Sequence, residues 1–175
     1  MTSDYIHKTA RRAVKKHGED DPARLARELG FIVLYQNMGT DETSCKGFFI
    51  RQSKVTAIVV NGDLPLRVRR LVIAHELGHA LLHAEQLESG LLGDASIFDS
   101  GSLMEYQADM FAAELLIPDD KAKRLFRAGA TFYQAATVLG VPEELLDYKL
   151  RSLRNRGFEI DAPEFARSGY LRHIN

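Results

Sequence analysis

Between positions 75 and 79 the chain reads His-Glu-Leu-Gly-His, two imidazoles at i and i+4 with a carboxylate beside the first. On a helix, side chains four apart stand about 40° round the axis and one turn up, so His75 and His79 project together. Two neutral imidazole nitrogens so placed can hold one Zn²⁺ at about 2.0–2.1 Å each. Glu76 stands roughly 100° round from His75, close to such an ion without having to bind it. A carboxylate there can accept a proton from a water activated by the metal and later deliver it to a leaving amine. The chemistry indicated is metal-assisted hydrolysis, with His75 and His79 as ligands and Glu76 as general base. An accidental H-E-x-x-H is expected in roughly one chain in a hundred of this composition. The ordinary explanation for such a pair is two histidines satisfied by hydrogen bonds on a half-buried helix.

A catalytic zinc site takes a third protein ligand and leaves the fourth position to water. His83 lies four residues beyond His79 on nearly the same face. Ligation from 75, 79 and 83 would span two turns, about 11–12 Å, so a supporting or packing role suits His83 better. Glu85 and Glu88 read as solvated. The better candidate is Glu105 in Glu105-Tyr-Gln-Ala-Asp109, where two carboxylates share a helix face beside the small residues Ala108 and Ala112. One can complete the zinc shell while the other, Asp109, accepts the free N–H of a ligating histidine and fixes its tautomer. Without the histidine motif the same pair would read as an exposed acidic stripe. Tyr106, Tyr133 and His83 are all conceivable donors to the oxyanion of the reaction. The donor set suits zinc, and it also admits manganese or another divalent ion.

Three kinds of element must place these groups. A helix from about Leu64 to Ala84 carries the histidines, and it is apolar over much of its circumference, which predicts a central, buried position. Gly78 within it costs about 1 kcal/mol relative to alanine, so a close approach by a neighbouring strand or by the metal site is expected there. Asn61-Gly-Asp63 can cap this helix, with Pro65 in its first turn. A second helix over about Leu103 to Ile117, stopped by Pro118, carries Glu105 and Asp109. Ahead of both, Phe31 to Tyr35, Gly47 to Ile50 and Val55 to Val60 read as strands. A first helix presents Ile6, Ala10, Ala13 and Val14 on one face, and Asp20-Asp21-Pro22 marks the start of another, stopped by Gly30. The loop Gly90–Ser102, which joins the two ligand helices, is expected to form part of the substrate rim.

HELGHALLH followed by EYQADMFAAELLIP resembles the ImmA/IrrE family of metallo-endopeptidases. KGFFI and AIVVNGDLP resemble that family's hairpin leading into the active-site helix, and the likeness covers roughly Pro22 to Pro118. The resemblance implies His75, His79 and Glu105 as zinc ligands and Glu76 as general base. It also implies a cytoplasmic zinc protease that cleaves a helix-turn-helix transcriptional repressor of a phage, mobile element or stress regulon. The fold it implies is α+β, a thermolysin-like zincin core with a small antiparallel sheet. Asp109 stands where many relatives carry asparagine, and either side chain can accept a histidine N–H.

The expected division is a zinc metallopeptidase domain over 1–125 and a C-terminal helical extension over 126–175. Tyr133 to Leu150 resembles a helix-turn-helix, with Gly140 in the turn and Pro142 opening the second helix. Lys149, Arg151, Arg154 and Arg156 supply a basic cluster, but Glu143, Glu144 and Asp147 would repel phosphates, so direct nucleic-acid binding is not expected. The three readings of this part are a helical hairpin packed on the catalytic part, a dock for a protein substrate, and a DNA reader.

The composition sets outer limits. The 175 residues are 45% hydrophobic and 27% charged with a net charge of −1, enough for one self-supporting core and with no global field for nucleic acid or anionic membrane. The longest charge-free run, Ala128 to Pro142, is 15 residues, short of the about 20 that a membrane span needs. The N-terminus lacks the apolar stretch of a secretory signal. Cys45 is the single cysteine, so no internal disulfide forms and a cytoplasmic protein is expected. It reads as a small packing residue, with a thiolate reaching the open zinc position as the sharper alternative. Two functions of different class follow: a zinc-dependent endopeptidase acting on a specific protein, or a non-catalytic, metal-containing regulatory module that binds a repressor or DNA. An intact Glu76 favours the first.

Overall fold

Asp21 opens a helix by accepting hydrogen bonds from the backbone N–H groups of Ala23 and Arg24, and Pro22 takes the first helical position. A proline there loses nothing, because that N–H has no intrahelical acceptor. In the computed structural model, which describes residues 1–52, 55–83 and 103–160, this helix is α2 (Pro22–Glu28) and follows α1 (Ser3–His17). Thr2 caps α1 through Tyr5, and the helix ends at Gly18, whose φ of 68° is the left-handed conformation. Ile6 and Ala10 are buried as their spacing predicts, with Ala13 and Val14 partly buried beside them.

The strands β1 (Ile32–Gln36), β2 (Gly47–Gln52) and β3 (Val55–Asn61) form one sheet in the order β1-β3-β2. The antiparallel sheet expected from the resemblance is in fact mixed. β2 pairs with β3 antiparallel, with Gly47 opposite Val60, whereas β1 pairs with β3 in parallel, with Ile32 opposite Ala57. The reason is that β3, whose Ala57 to Asn61 are all buried, takes the centre and leaves the two half-exposed strands at the edges. The connection between β1 and β2 must then cross to the far edge. Asn61 holds it down, donating to the carbonyls of Gly39 and Cys45 at 2.7 and 2.9 Å. Asp63, expected to cap the next helix, instead accepts from the N–H groups of Met38 and Gly39. The helix that follows has Pro65 at its cap and no side-chain capping bond.

That helix, α3 (Leu66–Leu82), is buried almost all round, with Val72 and Ile73 fully covered together with Leu77. Its low amphipathicity is that of a helix between layers. One side meets the sheet, where Gly47 leaves no room for a Cβ against Val72. The other side meets α4 (Leu103–Leu116), on which α1 also packs. The chain continues through α5 (Asp119–Arg127), α6 (Phe132–Leu139) and α7 (Glu143–Asn155), with α7 against α4 and α1. Thr131 and Gln134 form a reciprocal capping box at the start of α6, and Gly140 closes it with a φ of 67°. The protein is therefore α+β, seven helices and a three-stranded mixed sheet among the described residues. No helix among those residues is long and apolar enough to cross a membrane.

The basic cluster read from the C-terminal sequence does not form an outward patch. Lys149 is fully buried, its ammonium 2.7 Å from Glu114 Oε2 and 2.5 Å from Asp119 Oδ1. Arg156 binds Asp119 at 2.8 Å and reaches Glu114 at 3.4 Å, while Arg151 pairs with Asp147 at 2.7 Å. His7 Nδ1 adds a contact of 2.7 Å to Glu114, and Arg11 donates to the Glu114 carbonyl. These contacts tie α1, α4, α5 and α7 through one buried network. The charges are consumed inside the fold because every carboxylate in the cluster needs a cation once water is excluded.

Burial opposes ionisation of Glu114, yet the bond from His7 and the charge of Lys149 outweigh it and hold the carboxyl down at about 2 against an ordinary 4.5. A folded-state pKa below the unfolded one contributes stability that is complete above pH 4.5 and is lost as pH falls toward 2. The wild-type chain is expected to lose stability through that window in denaturant titrations at stepped pH. Glu114→Gln should flatten this acid limb and cost about 3 kcal/mol near neutral pH, because Lys149 stays buried with one partner fewer.

Candidate metal centre

α3 and α4 meet closely at Gly78. A Cβ there would stand 2.9 Å from Ala108 Cα, 3.0 Å from the Ala108 carbonyl oxygen and 3.2 Å from Phe111 Cβ. The glycine is thus explained by a neighbouring helix, not by a strand. With the backbones this close, the histidines of α3 and the carboxylates of α4 share one buried space.

One ligand atom from each of His75, His79 and Glu105 lies within 4.8 Å of the others. The two Nε2 atoms are 3.0 Å apart, and the Glu105 oxygens lie 3.3 Å from His75 Nε2 and 3.1 Å from His79 Nε2. Donors on a tetrahedral ion at about 2.0–2.1 Å would stand about 3.3–3.4 Å apart, so the trio fits a zinc-sized cation after small adjustments. Asp109 Oδ1 accepts from His75 Nδ1 at 2.8 Å. That bond keeps the proton on Nδ1 and leaves Nε2 for a metal. His79 has no equivalent support: its Nδ1 is buried without a partner among the described residues.

The electrostatics of the cluster favour a cation. Burial disfavours an imidazolium at His75, but the bonds to Asp109 and Glu105 outweigh burial and raise its pKa well above the usual 6.5. Burial likewise opposes the Glu105 carboxylate, and His75 and His79 nevertheless hold it down at about 2. Glu76 is buried, and that burial lifts its pKa above 4.5 despite the two histidines. Three carboxylates around two imidazoles thus form an electron-rich pocket, as a divalent-ion site requires.

The remaining candidates are placed as follows. His83 is buried, and burial with the neighbouring His79 lowers its pKa to about 4, so the ring is neutral. Its Nε2–H donates to the Met104 carbonyl at 3.3 Å, fastening the end of α3 to the first turn of α4, one residue before Glu105. Tyr106 packs edge-on against Tyr148 with ring centroids 5.5 Å apart. Tyr133 lies exposed on α6 with its ring against Phe132. The Cys45 thiol donates to the Gly47 carbonyl at 3.7 Å, and burial, with the charge of Glu76, raises its pKa. It is a neutral thiol in a packing position. Glu85, Glu88 and the Gly90–Ser102 segment lie outside the described residues. A further trio, His7, Glu114 and Asp119, also draws together, but Lys149 and Arg156 already supply its cations.

Residues 26–151 match the family described as the IrrE N-terminal-like domain. The chain is 31% identical over 151 residues to "Uncharacterized immunity region protein 2" of Bacillus phage phi105, covering 86% of this chain and 92% of that protein. It is 24% identical over 170 residues to "Metallopeptidase ImmA" of Bacillus subtilis (strain 168), covering 96% of this chain and 97% of that one.

Gly78→Ala tests whether the helix contact sets the site. Alanine gains about 1 kcal/mol in helix propensity, while overpacking against rigid backbone costs about 1–3 kcal/mol. The expected net loss is about 0–2 kcal/mol in thermal unfolding, together with weaker divalent-metal binding in chelator competition. Unchanged metal affinity would show that the spacing of the site does not depend on this contact.

Proposed function

This chain belongs to the ImmA/IrrE family, and we propose that it works as a zinc-dependent endopeptidase with Glu76 as its general base. The observation that carries this reading is the convergence of His75, His79 and Glu105 on one buried point. Glu76, whose ionisation burial disfavours, adjoins the two histidines whose charges act on it. The name of the Bacillus subtilis relative, a metallopeptidase, supports the same reaction class.

In this reading His75, His79 and Glu105 hold the ion, Asp109 orients His75, and His83 steadies the start of α4. When bound, zinc supplies Lewis acidity toward the scissile carbonyl and toward a water. Glu76 takes a proton from that water as it attacks the carbonyl carbon. It then gives the proton to the departing amine nitrogen, so that one peptide bond and one water become a carboxylic acid and an amine, which ionise to carboxylate and ammonium. A carboxyl whose pKa burial has raised is suited to both halves of that transfer.

The substrate we propose is a specific protein, a helix-turn-helix repressor of a phage, mobile element or stress regulon. The family resemblance supports this, as does the phage relative, whose name places it in an immunity region. Lys149 is buried and Arg156, at the end of α7, is paired with Asp119, so few cations are left there for phosphates, which weighs against direct DNA binding.

The test is co-expression of wild type and Glu76→Gln with candidate helix-turn-helix repressors from the same genome, with zinc measured in both proteins. The variant is expected to keep near-stoichiometric zinc while cleavage falls by at least about a hundred-fold. If both proteins affect the repressor equally without cutting it, the protein is instead a binding module that keeps a metal. If chelation strips zinc without reducing cleavage, the metal plays no part in the reaction.

A further inference from the structure

Asp109 carries two oxygens, and His75 uses one of them. Oδ1 accepts from His75 Nδ1 at 2.8 Å, while Oδ2 is buried and no donor among the described residues meets it at full hydrogen-bond geometry. A buried carboxylate oxygen calls for a donor. The side chain directed at Asp109 from the opposite helix is Tyr148 of α7, whose hydroxyl is also shut away from water. Its ring is wedged edge-on against Tyr106, at 5.5 Å and 63°, on the residue next to Glu105.

We infer that Tyr148 is a positioning residue for the metal centre: its hydroxyl donates to Asp109 Oδ2 and fixes the carboxylate that orients His75. The inference rests on the zinc-site reading above and extends it to a helix that contributes no ligand. Burial and the adjacent Asp109 push the Tyr148 phenol well above its usual pKa, so the proton stays on the oxygen and the group acts as a donor. Held at both oxygens, the Asp109 carboxylate cannot turn about its own bond. His75 therefore keeps its Nδ1–H tautomer with Nε2 toward the ion. The support matters more because His79 Nδ1 has no partner among the described residues. One of the two imidazoles is anchored, and the anchor reaches back through Asp109 to α7.

The experiment uses the full chain and reads zinc affinity by competition with a chromophoric chelator. Tyr148→Phe keeps the ring against Tyr106 and removes only the hydroxyl. It is expected to weaken zinc binding by about 10–100-fold, the usual loss for a partner one step removed from a ligand, while the metal-free protein unfolds near the wild-type temperature. Asp109→Ala should lose at least as much. The double variant should lose no more than Asp109→Ala alone, because Tyr148 acts through that carboxylate. Tyr148→Phe with wild-type zinc affinity overturns the inference, and so do additive losses in the double variant, which would mean that Tyr148 contributes packing only. Both outcomes leave the peptidase reading intact. A wild-type chain that binds no zinc overturns both.

Discussion

At Gly78 the α3 backbone comes so near Ala108 that a single methyl group does not fit between them. That contact decides what the surrounding side chains can do. Helices kept apart by large side chains sit about 8–10 Å from axis to axis. At such a distance short acidic side chains on one helix reach imidazoles on the other only when small residues line the seam. Glycine on α3 faces Ala108 on α4, with Ala112 and Ala113 one turn further along and fully buried. Glu105 and Asp109 then lie at hydrogen-bond distance from His75 without stretching. The helix-propensity penalty of the glycine, about 1 kcal/mol, is set against a spacing that a larger residue would widen.

α4 carries buried acid at two levels, and the two are neutralised differently. At Glu114 the protein supplies its own cations: Lys149 and Arg156, with His7 also in contact. At Glu105 and Asp109 the facing groups are the imidazoles of His75 and His79. Imidazoles are weak substitutes for a fixed positive charge, since they are neutral near pH 7 unless the environment forces a proton on them. The raised pKa of His75 is that forcing. The same carboxylates that raise the His75 pKa make the pocket attractive to a divalent ion. The Glu114 cluster, although also built from a histidine and two carboxylates, is closed by its lysine and arginine and has no comparable demand.

Much of this was legible in the sequence for a physical reason: the signals were local. The i, i+4 spacing of His75 with His79, and of Glu105 with Asp109, states which side chains share a face whatever the tertiary fold. The near-continuous apolar character of 71–82 marked α3 as central, and Asp21-Pro22 marked the start of α2. What lay hidden was non-local. Strand character in 32–36 and 55–61 does not reveal that those strands are parallel neighbours, because pairing depends on which strand is the most buried. Asp63 looked like a helix cap but bonds to Met38 and Gly39, twenty-odd residues earlier. Lys149 reads as part of a local basic cluster, and lysines usually are exposed. Its partners Glu114 and Asp119 sit on other helices, and nothing near it in the sequence announces them. The same holds for Tyr148, whose neighbour Asp109 lies on α4.

Tyr148 and Lys149 are adjacent on α7, about 100° apart round its axis, and that angle lets one helix serve both acidic levels of α4. Tyr148 faces Asp109, while the Lys149 ammonium inserts between Glu114 and Asp119. Leu145, Leu146, Leu150 and Leu153 fill the space around them and are fully buried. A helix burying one aromatic and one charged side chain in specific polar environments has little freedom to slide or rotate. A one-residue shift of register would carry the lysine toward Asp109 and withdraw it from Glu114. Apolar residues alone would tolerate such a shift, since one leucine packs much like the next. Polar pairs do not, because each leaves an unsatisfied group behind when broken. The ion network that supports the fold thus also holds α7 in the one register that presents Tyr148 to Asp109, which is how stability on one side of α4 is converted into alignment on the other.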